Sequence, residues 1–190
     1  MRRVANGKLV FSYLLIALAA VLRLAVSAPL NVVPVFSCIL LFGAARPRRE
    51  AWIPLAALIG VDVYLTTRYY HYPVSIDQAV IWVWYAVVML LGSATVRRTR
   101  AIGHGVWAAL AASAGFFLIS NFAVWASWNM YPRTLPGLAM CYGAALPFFR
   151  NNLISETVCS AVIFTVWKYY PALIPAGSHR GIASQPGEQF

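Results

Sequence analysis

The sequence predicts an all-α fold: a polytopic membrane helical bundle of six transmembrane helices, with a short helical lid segment in its last outer loop. Three observations predict it. Of 190 residues, 61% are hydrophobic and 11% charged, and the mean hydropathy is +0.69, whereas a soluble domain is about 45–50% apolar. The apolar residues gather in six runs. Basic residues fall in clumps on every second connection: Arg2, Arg3 and Lys8 before the first run, Arg46, Arg48 and Arg49 after the second, Arg97, Arg98 and Arg100 after the fourth, and Lys168 and Arg180 at the end. That alternation is the positive-inside pattern, and it places both termini in the cytoplasm with loops one, three and five outside.

Taken in order, the spans are residues 9–26, 32–45, 51–67, 78–96, 105–126 and 153–170, set against the roughly 20 residues that a bilayer core requires. The first follows Arg2 and Arg3 as a signal peptide would, but Ser27-Ala28-Pro29 is a poor cleavage site, so the run is kept as a span. The second is short, and Pro29, Asn31 and Pro34 tighten the loop before it. Small residues Ala108, Ala111, Ala112 and Gly115 in the fifth span permit close helix approach, either within the bundle or against a partner. Ala17, Ala19 and Ala20 in the first span raise the same question. Between the fifth and sixth spans, Pro132, Pro136 and Pro147 surround the apolar stretch 138–146, which is too short to cross ~30 Å and reads as a lid on the outer face. Residues 1–175 form a single transmembrane domain, and 176–190, rich in Gly, Ser, Pro and Gln, a flexible cytoplasmic tail.

A net charge of +10 suggests nucleic acid in a soluble protein, but here the basic residues flank spans, so the expected partner is the lipid bilayer and no nucleic acid is expected. Cys38, Cys141 and Cys159 lie in apolar segments without metal-binding spacing and read as small buried hydrophobes. The chain contains five acidic residues and no H-E-x-x-H, G-x-S-x-G or P-loop motif. It is therefore not expected to be an enzyme, nor to hydrolyse ATP itself.

Charge at membrane depth costs roughly 2.5–3.5 kcal/mol by insertion scales, so Asp62 within the third span and Arg23 near the outer end of the first demand partners. They form either a structural ion pair or part of a ligand site. Asn121 in the fifth span joins them if its level is near mid-membrane. The outer loops add Arg68, His71, Asp77, Asn129, Arg133, Arg150, Asn151, Asn152 and Glu156, while the inner face offers mainly Lys and Arg. Mixed, pairable polar chemistry at one end suits a ligand. Trp125, Trp128 and Tyr131, and the tyrosines around His71 in Tyr69-Tyr70-His71-Tyr72-Pro73, are either an interfacial belt or the walls of a pocket.

Arg23-Leu24, Asn31-Val32-Val33-Pro34-Val35, Leu41-Phe42-Gly43-Ala44, Ser120-Asn121-Phe122-Ala123-Val124-Trp125, Tyr131-Pro132-Arg133-Thr134 and Leu146-Pro147-Phe148-Phe149-Arg150-Asn151 together resemble a family of small bacterial membrane proteins classed as a domain of unknown function. The layout of six spans also resembles the substrate-binding S components of energy-coupling factor (ECF) vitamin transporters. That resemblance implies a vitamin or cofactor-like small molecule bound through loops one, three and five, and an energising transmembrane subunit with ATPases as partner. Some of that group act alone on cobalamin, which would make His71 an axial cobalt ligand, since the corrin supplies four nitrogens. No intrinsic cofactor is implied.

These features predict a substrate-capture protein of the bacterial cytoplasmic (inner) membrane. Its expected ligand contacts are Arg23, Asn31, Asp62, His71, Asn121, Trp125, Arg133, Arg150 and Asn151. The alternative is a non-transport scaffold or assembly subunit of a larger membrane complex.

Overall fold

The computed structural model describes residues 2–25, 34–99 and 101–173. Asn31 and the tail 176–190 lie outside the described residues. Among those described, every regular element is a helix: α1 (Arg2–Ala25), α2 (Val35–Ala45), α3 (Trp52–Tyr64), α4 (Ile76–Leu91), α5 (Arg97–Thr99), α6 (Ile102–Ser127) and α7 (Leu135–Leu173). A 3-10 turn at Arg48–Glu50 leads into α3, and π turns at Leu65–Tyr69 and Gly92–Val96 extend α3 and α4. Successive passes alternate in direction. The loops around residues 70–75 and 128–134 mark an aromatic end, and those around residues 46–50 and 97–101 a basic end.

Among the described residues, four stretches are long and apolar enough to cross a membrane: Gly7–Ala25, Arg48–Tyr69, Ile76–Thr99 and Ile102–Ser127. Their exposed faces carry apolar side chains at helical spacing, such as Leu14, Leu18 and Val21 on α1 and Leu118 and Phe122 on α6, which is compatible with a membrane protein. Two helices differ from these four.

The first is α2, whose 11 residues span about 16 Å, half of a bilayer core. Apolar on all sides, it belongs in the centre, and Val35 to Gly43 are buried without a break between α1, α4, α6 and α7. Gly43 of α2 and Gly92 after α4 make that position possible. A β-carbon on Gly43 would collide with the Met89 carbonyl oxygen, and one on Gly92 with the Leu40 carbonyl oxygen, so the two backbones touch where the helices cross.

The second is α7, and here the structure corrects the sequence reading. There is no separate lid followed by a span at 153–170, because Leu135–Leu173 is one 39-residue helix, about 58 Å long. Pro136 sits in its first turn, where a missing N–H removes no helical bond, and Pro147 is exposed on its flank. Packing against α6 overrides the helix-breaking signals. The two helices run antiparallel along their length, with the Tyr142 hydroxyl donating to the Leu118 carbonyl at 2.6 Å, Phe149 stacked on Phe117 at 4.3 Å and Gly105 packed against the Phe164 ring.

Several small residues of α6 are used internally, although Ala111 is exposed. Ala109 and Ala112 are buried, the Trp84 indole N–H donates to the Ala112 carbonyl at 3.1 Å, and Gly115 packs against the Trp84 ring. Close approach within the bundle, and not an open docking face, explains Ala112 and Gly115.

Candidate binding site

At the aromatic end, a groove of about 480 Å³ opens between the loop preceding α4 and the C-terminus of α6. Tyr72 and Trp128 form its aromatic wall, with ring centroids 6.1 Å apart in an edge-to-face arrangement. Asp77, in the first turn of α4, accepts the Trp128 indole N–H at 3.0 Å and the Ser75 hydroxyl. A carboxylate in the first turn is favoured there by the helix dipole. These bonds tie the two loops together and fix the Trp128 ring. Gln78, one position on, donates to the Thr66 hydroxyl across the groove, while its own Oε1 is buried without a partner. A buried acceptor left unpaired costs about 1–3 kcal/mol, which a donor brought by a ligand would recover.

The same face of α4 continues inward through Trp82, whose buried indole N–H also has no partner, to Tyr85. There the polar line ends in a closed network. Arg23 Nε donates to Asp62 Oδ1 at 2.6 Å, and the buried Tyr85 hydroxyl donates to Asp62 Oδ2 at 3.2 Å. Asp62 is 6% exposed. Its three-way pairing removes the cost of an isolated charge at membrane depth and joins α1, α3 and α4.

The remaining expected contacts do not gather at one place. Asn121 donates to its own helix, at the Phe117 carbonyl, 2.7 Å away, so it does not join the Arg23–Asp62 pair. Trp125 and Arg133 form a second cluster: the indole N–H donates to the Pro132 carbonyl at 2.9 Å and the guanidinium lies 5.8 Å from the ring centroid. His71 is exposed in the loop beside Tyr72 with a left-handed φ of 57°. Among the described residues, no group of three or more His, Cys, Asp or Glu side chains could hold a metal.

Arg150 and Asn151 were expected at the outer start of the last span, but the continuity of α7 moves them. They adjoin Phe149, about 21 Å along the helix from Leu135. Arg150 is exposed and Asn151 half-buried, at the level of Phe117 and not at the aromatic end.

Glu156 follows them and has a role that the sequence reading did not assign. It is fully buried. One carboxylate oxygen accepts the Phe36 N–H at 2.9 Å, and the other accepts the Ser37 N–H at 3.0 Å and the Ser37 hydroxyl. These amides belong to the first turn of α2, where no helical acceptor exists. A side chain of α7 thus caps α2 inside the bundle, and Pro34, the residue before the helix, provides no side-chain cap of its own. The available signal was a carboxylate in an apolar helix beside a short helix lacking an N-cap residue.

The family described as "Family of unknown function (DUF6580)" matches residues 4–176 of the chain. No curated protein and no solved structure matches it.

Proposed function

The chain belongs to this family of unknown function, and from that premise we propose that it is a multi-pass protein of the bacterial cytoplasmic membrane that captures a small cofactor-like molecule at its aromatic end. The observation that carries the reading is the groove between Tyr72, Asp77, Gln78 and Trp128. Its volume falls in the range of small-molecule pockets, and it combines an aromatic wall with a few convergent polar groups, as such pockets do. Gln78 Oε1 supplies an unused acceptor.

This reading keeps the resemblance to ECF S components but revises the contact set. Asp77, Gln78, Tyr72 and Trp128 become the principal contacts, with His71 at the rim. Arg23 and Asp62 brace the wall, and Trp125 and Arg133 hold the neighbouring loop. Both termini face the cytoplasm, as the basic clumps direct, and the groove opens outside. The chain performs capture and no catalysis, and an energising subunit with ATPases is the partner to seek. A flat one- or two-ring vitamin suits the groove volume better than a corrin.

The test is purification in mild detergent, followed by mass spectrometry and absorption spectroscopy of co-purifying molecules. An aromatic cofactor-like molecule held by the wild type supports the reading. A corrin spectrum lost on His71→Ala would instead assign cobalt ligation to His71, and repeated isolation of folded protein with no small molecule counts against capture.

A specific observation also favours the scaffold reading, on a different surface from the one expected. An open groove of about 630 Å³ runs along α1 and α3 past Ala56, Ala57 and Gly60, between Leu24 and Tyr64. Nothing lies within 4 Å of a β-carbon built on Gly60, leaving room for another helix. A Gly60→Leu change that releases a co-purifying membrane protein while leaving small-molecule content intact would support assembly.

A further inference from the structure

We propose that the groove at the aromatic end selects an organic cation, an aromatic ring bearing a protonated amine; this names the class of ligand and rests on the capture reading above. The observation behind it is how Asp77 divides its two oxygens. Oδ1 accepts both protein donors, the Trp128 indole N–H at 3.0 Å and the Ser75 hydroxyl. Oδ2 takes neither, and Asp77 enters no ion pair: those among the described residues join Arg23 to Asp62 and Arg46 to Glu50. One oxygen thus holds the aromatic wall in place, and the other serves a donor from outside the protein.

Among the described residues that line the groove, Asp77 alone is charged. The other cationic side chains at this end are placed elsewhere. Arg133 lies over the Trp125 ring in the neighbouring cluster, and Arg68 and His71 are exposed and do not line the groove. The remaining residues bring no cation within reach. Residues 26–33 contain no Lys, Arg or His, and Arg100 adjoins Thr99 at the basic end. Arg180 lies seven positions past Leu173, where α7 ends at that same end. Seven residues reach about 25 Å at most, whereas Ile76–Thr99 puts about 36 Å of helix between the two ends.

The walls narrow the cation. Tyr72 and Trp128 both line the groove, and aromatic faces attract positive charge through their quadrupole. Because Asp77 fixes Trp128, the ring and Oδ2 keep a set relation, so one ligand can lay its ring against the wall and its ammonium on the carboxylate. Pro73, Val124 and Met130 add apolar wall, which limits screening by water. A bare divalent metal does not suit this set, since hard cations gather about six or more oxygen ligands and the groove offers one carboxylate. Its volume of about 480 Å³ also exceeds that of any single ion.

Three probes that share an indole ring and differ in the head group test the proposal: tryptamine, a cation; propylindole, neutral; and indolepropionate, an anion. Binding to the full chain in zwitterionic-lipid nanodiscs is read by calorimetry, with empty nanodiscs subtracted. Wild type is expected to bind tryptamine about tenfold or more tighter than propylindole, with indolepropionate weakest. Asp77→Asn keeps an oxygen for the Trp128 N–H but removes the charge, and should bring tryptamine down to the affinity of propylindole. Glu50→Gln, which deletes the same charge at the basic end, should leave the preference intact. Tryptamine bound no tighter than propylindole by wild type, or a preference that survives Asp77→Asn, overturns the cation class. Capture at the groove still stands in that case if Trp128→Leu weakens all the probes that bind. No binding of any probe by wild type overturns the cation class and counts against capture as well.

Discussion

Glu156 on α7 accepts the backbone N–H of Phe36 at 2.9 Å across 120 positions of sequence, so the central helix of the bundle begins on a side chain from the last one. The short α2 begins inside the bundle, and the buried amides of its first turn are satisfied there by a carboxylate instead of water. The fold's least ordinary element therefore depends on one residue.

Glu156→Ala should destabilise the protein by roughly 2–4 kcal/mol, combining cap loss with orphaned buried amides. Glu156→Gln keeps one acceptor oxygen and should lose less. Thermal unfolding in detergent gives the order: wild type above Gln, Gln above Ala. Equal midpoints for Ala and wild type would mean that α2 does not rely on this cap.

Arg23 and Asp62 form a pair whose members need each other. Removing one partner of a buried ion pair costs about 3–5 kcal/mol. Asp62→Asn or Arg23→Met alone should thus be more damaging than the two combined, and a double-mutant cycle on unfolding midpoints reads the coupling. Strict additivity would show the pair to be incidental.

Gly92→Leu should prevent α2 and α4 from touching, since even a β-carbon there meets the Leu40 carbonyl oxygen. Loss of folded protein, followed by size-exclusion chromatography, is the expected result. Gly103, with open space around it, is the matched control: Gly103→Leu should leave the elution profile unchanged.

Trp128→Phe retains the ring but deletes the N–H that Asp77 accepts. If the bond orders the groove, ligand content should fall several-fold with little change in unfolding temperature, and Asp77→Asn should behave similarly. A large fall in stability instead would give the pair a purely structural role.

Much of the fold was legible because hydropathy reports burial in lipid directly. Expected spans at 9–26, 51–67, 78–96 and 105–126 fall on α1, α3, α4 and α6, and the second pass was expected to be short. For Arg23 and Asp62 the sequence left two readings open, an ion pair or ligand contacts, because charge in an apolar run requires a partner of some kind; the structure pairs them with each other. The α7 helix was missed because Pro136, Pro147 and the polar Arg150-Asn151-Asn152 mimic a loop, and only its contact with α6 outweighs them. The same error carried Arg150 and Asn151 to the wrong level. Glu156 could not be assigned locally, as its partners lie on α2, with α3 to α6 between them in order, and meet it only after folding. Of the groove, the sequence showed the aromatic residues but not that Asp77 joins Trp128 and so sets Tyr72 and Trp128 face to edge.

The most direct measurement is the amount of small molecule retained per protein by wild type and by the Asp77→Asn, Trp128→Ala double variant, at matched folding and yield. Capture at the aromatic end predicts near-stoichiometric retention in the wild type and a drop of tenfold or more in the variant. The same molecule retained equally by both proteins would contradict it.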